Sequence, residues 1–224
     1  MCGVAGIFAG ARARAPEFSV LQRMAGAIQH RGPDGAGFYR DDSVGLAHTR
    51  LSIVDLAGGA QPMANGDESI WVCFNGEIFN HAELRADLSA AGRPFATSSD
   101  TEVIIQAYAE WGERAWTLFN GQFAFALWDR RRRIFWLVRD RLGILPLFYA
   151  KTSDGLVFAS EIKAIHAGNH IERTFDPAGL VEAFVRWSPA PPQTVFQAVK
   201  QAPTGCALKI DMDLRIEERP YWKP

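Results

Sequence analysis

Apolar positions along this chain alternate between strand-like and helix-like spacing from the first residues onward. Gly3 to Ala9 is an apolar run that reads as a strand beginning almost at the first residue. Phe18, Leu21, Met24, Ala25 and Ile28 recur at helical spacing, predicting a helix ahead of the loop His30-Arg31-Gly32-Pro33-Asp34-Gly35. Ile70, Val72 and Phe74 alternate with Trp71 and Cys73, predicting a strand that ends at Asn75-Gly76. Asn80 with Glu83 makes a capping-box pattern, Leu84 and Leu88 share the face that follows, and Gly92 marks a stop. Ser99 with Glu102 repeats the device before Val103, Ile104, Ala107, Tyr108 and Trp111, with Gly112 behind them.

Strand signals then dominate. Phe123 to Trp128 and Ile134 to Val138 flank the charged run Asp129-Arg130-Arg131-Arg132-Arg133, which reads as a solvated hairpin turn rather than a basic patch. Leu147 to Ala150 and Leu156 to Ala159 flank Ser153-Asp154-Gly155, a second hairpin. Leu180, Phe184 and Trp187 suggest a late helix after Asp176-Pro177, and Ser188 to Pro192 is an extended connector. Hairpins and helices in separate runs favour an α+β fold with mostly antiparallel sheets, in one domain over residues 1–224.

Composition narrows the function classes. With 24 Lys and Arg against 25 Asp and Glu, the formal charge of -1 gives no footprint for nucleic acid or an anionic membrane. No run of about 18 apolar residues predicts a membrane span, and the start lacks the pattern of a secretory signal. Cys2, Cys73 and Cys206 are too scattered for a zinc site and cannot all pair, which suits a cytoplasmic protein with reduced thiols.

Candidate chemistry begins at Cys2. Initiator methionine is normally removed before a small residue, which leaves a thiol and an α-amine on one residue. That amine has an unperturbed pKa of about 7.7–8.0, so nucleophile and base come as a unit. The competing reading is a small apolar residue near a chain end. Asn75-Gly76 offers an amide side chain and an unhindered N–H for an oxyanion, or else a tight turn. Arg50, between two apolar stretches, suits a carboxylate but equally a surface position. Glu77 and Asp100 are two acids that also fit a turn and a helix N-terminus. As a set these groups describe a pocket for an amino-acid amide. His30, His48, His81, His166 and His170 need no catalytic role in it; His48 reads as a structural histidine and Cys73 as core packing. Cys206 reads as a small residue entering the last strand, and the scattered Trp residues as core or interface material.

The motifs resemble the glutaminase domain of class II glutamine amidotransferases, specifically that of glutamine-dependent asparagine synthetases. The resemblance rests on Cys2-Gly3-Val4-Ala5-Gly6-Ile7, His30 to Gly35, Ala47 to Asp55, Gln61-Pro62-Met63 and Phe74 to Asn80. It continues through Ser99 to Val103, Arg139 to Gly143, Pro146-Leu147 and Ala159 to Ala164, and thins out toward Tyr221-Trp222. It implies the N-terminal-nucleophile hydrolase fold, a four-layer αββα sandwich with two antiparallel sheets. It further implies that Cys2 attacks the side-chain amide of L-glutamine while its α-amine shuttles protons. Asn75 and Gly76 would hold the oxyanion, and Arg50, assisted by backbone near Ile53 and Val54, would bind the α-carboxylate. Glu77 and Asp100 would take the α-ammonium.

No metal or cofactor is implied for this step; ATP and Mg belong to a synthetase domain marked by Ser-Gly-Gly-x-Asp-Ser, a segment this chain lacks. The expected partners are therefore L-glutamine and a synthetase domain, in the same longer chain or a separate subunit, with a homodimer left open. Three readings remain: the glutaminase half of an asparagine synthetase, a stand-alone glutaminase serving another acceptor, and a non-catalytic regulatory module. Retained Met1 would favour the last, because the Cys2 nitrogen would then be an amide and no base.

Overall fold

Seven residues, Gly3–Ala9, form strand β1, which lies between two partners and is buried on both faces, so it reads as an unbroken apolar run. The computed structural model describes residues 1–11, 13–52, 58–168 and 171–223. The further strands are β2 (Gly35–Arg40), β3 (Val44–Arg50), β4 (Met63–Ala64), β5 (Ile70–Ile78), β6 (Gly121–Asp129) and β7 (Ile134–Arg139). After them come β8 (Phe148–Lys151), β9 (Gly155–Ala159), β10 (Lys200–Gln201), β11 (Cys206–Ile210) and β12 (Ile216–Pro220). The helices are α1 (Phe18–Ala27), α2 (His81–Ala90), α3 (Asp100–Trp111), α4 (Ala115–Leu118), α5 (Ile162–Ala167) and α6 (Pro177–Arg186).

Among the described residues the strands form two six-stranded sheets, ordered β10-β8-β9-β1-β3-β2 and β12-β11-β7-β6-β5-β4. Every paired strand is antiparallel. The outer face of the first sheet packs on α1 and α5 through Ala5, Leu21, Met24, Ile28 and Ile165. The outer face of the second packs on α2, α3 and α4 through Leu88, Ile104, Trp116, Phe125 and Trp136. A third core lies between the sheets, completing the expected αββα layering.

That inter-sheet core is graded in size. The cross-strand row Trp71, Trp128, Phe135 holds large rings, and Phe8 from β1 stacks on Phe135 at 5.0 Å and lies 5.7 Å from Trp128. Two residues along, Cys73 pairs with Ala126, and two further Asn75 pairs with Ala124. Side chains thus shrink toward the end of the sandwich where β1 begins.

Several expectations shift in detail. The strand predicted to stop at Asn75-Gly76 runs on to Ile78, because β6 extends far enough to pair Gly76 with Phe123 and Ile78 with Gly121. Asn80 is the N-cap residue of α2 but makes no side-chain cap; its amide instead donates to the Leu118 carbonyl at 3.0 Å and accepts from the Asn120 N–H at 2.9 Å. Ser99 does cap α3, accepting from Thr101 N–H at 3.2 Å, while Glu102 reaches past it to the Ala96 and Thr97 amides, each at 2.7 Å. Cys206 enters the penultimate strand, since the polar edge strand β12 follows. The arginine run is a turn closing the β6–β7 hairpin, with Arg131 paired to Asp67 at 2.6 Å.

Beyond β7 the chain is tied down by buried charge. Asp140, fully buried, accepts from the N–H groups of Phe123, Leu142, Ile144 and Leu145 at 3.0–3.3 Å. Arg139 donates to the carbonyls of Gly143, Leu145 and Ala202 at 2.7–2.9 Å, and burial lowers its pKa from the usual arginine value. Asp140→Ala would strand these amides and leave the Arg139 charge without its neighbour. A loss of about 3–5 kcal/mol in unfolding free energy is expected from urea denaturation at unchanged m-value. A loss below about 1 kcal/mol would contradict this role.

Candidate active site

Cys2 sits one residue before β1, at the small-residue end of the inter-sheet core, and its thiol meets the backbone just beyond β3. Its Sγ accepts from the Leu51 N–H at 3.4 Å and lies 3.5 Å from the Leu51 carbonyl as donor. The Cys2 carbonyl accepts from Arg31 Nε at 2.9 Å, and Arg31 Nη1 bonds Glu161 at 3.0 Å. Glu161 also contacts His30 and Lys163, so its carboxyl is held below the usual range by these partners despite partial burial. On the next turn of the ladder, Val4 and Ser160 exchange hydrogen bonds at 2.8 and 3.0 Å. The residue carrying the thiol is therefore fixed from both neighbouring strands.

Facing it is the C-terminal half of β5. Successive strand side chains alternate faces, so Cys73, Asn75 and Glu77 share the side toward the first sheet. Cys73 is fully buried, its thiol donates to the Ala47 carbonyl at 3.4 Å, and burial pushes its pKa up. Asn75 is 1 % exposed, yet neither atom of its amide has a hydrogen-bond partner among the described residues. A buried, unpaired primary amide is costly unless something occupies the space it faces.

Gly76 has φ +148°, and a Cβ built there would lie 2.2 Å from the Gln122 carbonyl oxygen on β6. Only glycine fits that approach. Glu77 is exposed toward the opening. Asp100, 4 % exposed at the first turn of α3, accepts from the Ile78 N–H at 3.1 Å. Burial raises its pKa above the usual carboxylate value, partly offset by that bond and by His81 nearby.

Cys2, Arg50, Asn75, Gly76, Glu77 and Asp100 all line one cavity of about 100 Å³, which Met1 also borders. The structure thus gathers six of the eight predicted site residues; the other two, Ile53 and Val54, lie outside the described residues. Three further contributors carry no role in the sequence reading. Arg31 anchors the Cys2 carbonyl. Gln61, on the cavity wall, accepts from the Phe74 N–H at 2.6 Å and donates to Thr101 at 3.3 Å. Leu145 brings the Asp140-bound loop to the rim. Arg31 and Gln61 both stand within recognisable motifs, but their partners are remote in sequence, so the motif alone named no task for them. No group of three or more metal-ligating side chains forms among the described residues, and no helix among them is long and apolar enough to cross a membrane.

Comparison with known proteins adds an independent finding. Residues 1–222 match the family model described as a glutamine amidotransferase domain. Asparagine synthetase [glutamine-hydrolyzing] 3 of Bacillus subtilis is 38% identical over 217 residues, covering 95% of this chain and 35% of that protein. Asparagine synthetase [glutamine-hydrolyzing] 2 of the same organism is 46% identical over 178 residues, 79% of this chain and 24% of its own length. The chain therefore spans about a third or less of the curated relatives it matches. Among solved structures, the glutamine phosphoribosylpyrophosphate amidotransferase of B. subtilis superposes over the whole chain and 50% of its own, with TM-score 0.70 and 18% identity. That likeness concerns the fold, and it agrees with the layering described above.

Gly76→Ala should lower the unfolding free energy by about 2 kcal/mol, since the new Cβ must push β6 away or shift the backbone from its φ. Chemical denaturation measures this directly, and a variant as stable as the parent would show that the β5–β6 approach at this point is not tight.

Proposed function

Because the chain belongs to the glutamine amidotransferase domain family, we propose that it hydrolyses the side-chain amide of L-glutamine to glutamate and ammonia, with Cys2 as nucleophile. Removal of Met1 converts the Cys2 nitrogen from an amide into an amine able to accept the thiol proton. The thiolate attacks the glutamine amide carbon, and the amine passes the proton to the departing ammonia. The resulting γ-glutamyl thioester is then hydrolysed by water, with the same amine as base. Each step is assigned to a group of this chain, so the reading calls for no metal or cofactor.

The observation that carries the proposal is the Asn75 amide. It is buried and has no hydrogen-bond partner among the described residues, on the cavity wall beside Cys2 and next to the Gly76 N–H. Two such donors are suited to the negative oxygen of a tetrahedral intermediate, and they are already ordered before charge develops. The cavity also carries charges of both signs, Arg50 for the α-carboxylate and Glu77 with Asp100 for the α-ammonium. Burial penalises an ionised Asp100, and a bound ammonium offsets that penalty, so the site favours an amino acid over a simple amide.

In the longer proteins this chain matches, such ammonia would pass to an ATP- and Mg-dependent domain acting on aspartate. We place the present chain in that role, in a reducing compartment such as the cytoplasm that suits its three free cysteines. Cys2→Ala should abolish glutamate release, at least about a thousandfold below the parent, with stability little changed. Glutamate release at the parental rate in that variant would rule out the thioester route.

A further inference from the structure

Oxyanion geometry on β5 is set one residue upstream, at Phe74, which pairs with Phe125 of β6 on one side but has no strand beside it on the other. β4 comprises Met63–Ala64 and pairs with Val72 and Trp71, so it ends before reaching Phe74. The polar groups of Phe74 are met instead by two side chains. Its N–H donates to Gln61 Oε1 at 2.6 Å, and its carbonyl accepts from His48 Nε2 at 3.1 Å. His48 belongs to β3 of the opposite sheet, so this bond crosses between the layers.

Resting on the glutaminase reading, we propose that His48 is a positioning residue, whose Nε2–H clasps the Phe74 carbonyl and thereby fixes the aim of the Asn75 amide and Gly76 N–H. A carbonyl oxygen only accepts, so the proton on this ring is at Nε2. Nδ1 is left as a bare acceptor, buried with no partner among the described residues. The ring is fully buried and forms no part of the cavity wall, which excludes it from proton transfer to substrate. Burial, reinforced by the charge of Arg50, holds its pKa down at about 4, so the neutral donor form persists at pH 7. An imidazole with one unsatisfied nitrogen is an expensive way to fill a core position. Its retained contact is with the peptide that leads directly into the two oxyanion donors. A displacement there of about 1 Å would cost roughly a hundredfold in rate without touching the charged groups that hold substrate.

The test compares His48→Leu, His48→Gln and the parent by steady-state glutaminase kinetics, with active sites counted by covalent titration with an electrophilic glutamine analogue. Gln places an N–H near the position of Nε2, whereas Leu removes the donor. The expected result is that Leu lowers kcat per titrated site at least about tenfold with KM within about threefold, and that Gln restores kcat to within about threefold. His48→Asn, polar but too short to reach Phe74, replaces Leu if the Leu protein does not fold, and should show the same loss.

A merely structural role would reduce the number of titratable sites and leave kcat per site unchanged. That result, or Gln falling as far as Leu, overturns the inference. Parental turnover that needs Cys2 but not His48 defeats this proposal alone. A parent without Cys2-dependent turnover defeats the glutaminase reading and this proposal with it.

Discussion

The site depends on how closely the start of β1 approaches β5 across the gap between the sheets. Sheets stacked face to face sit about 10 Å apart when side chains of ordinary size fill the space. Here the filling is uneven, with aromatic rings around Phe8, Trp128 and Phe135 at one end and Cys73, Ala124 and Ala126 at the other. The small end leaves room for a cavity and lets side chains of one sheet reach the backbone of the other. Cys73 reaches the Ala47 carbonyl and His48 reaches the Phe74 carbonyl, in opposite directions across the same gap.

Around that gap, charge is handled by two different strategies. Structural charges are saturated: Asp140 accepts four backbone amides, and Arg139 donates to three carbonyls. On the cavity wall, the Asn75 amide has no partner among the described residues, and Asp100 is buried at a cost that raises its pKa. The first arrangement stabilises the scaffold. The second leaves polar groups poised toward the cavity, the expected signature of a binding or catalytic site.

Much of this was legible in the sequence, for reasons particular to each element. β1 and β6 are buried on both faces and appear as apolar runs, while Ser99 and Gly112 bracket α3 as capping chemistry predicts. The chemistry of six dispersed residues describes one amino-acid amide pocket, the motif resemblance assigns their roles, and the fold brings all six to one cavity. Other features left weaker traces. β12 has the sequence Ile-Glu-Glu-Arg-Pro and lies at a sheet edge, so it carries no apolar period. Asn75-Gly76 looks like a turn because the same dipeptide suits one, yet the ladder to β6 carries the strand through it. Asn80 spends its amide on residues 118 and 120, a tertiary contact that no local pattern encodes. The clasp on Phe74 was equally hidden, since Gln61 and His48 meet it from positions 13 and 26 residues away.

The central claim, that Cys2 is an N-terminal nucleophile in a glutamine-shaped cavity, is tested most directly by intact mass and peptide mapping after exposure to an electrophilic glutamine analogue. The account predicts a protein lacking Met1 that carries one adduct, located on Cys2 and prevented by excess glutamine. A protein that retains Met1 and takes no adduct would contradict it, as would labelling at Cys73 or Cys206 that glutamine does not suppress.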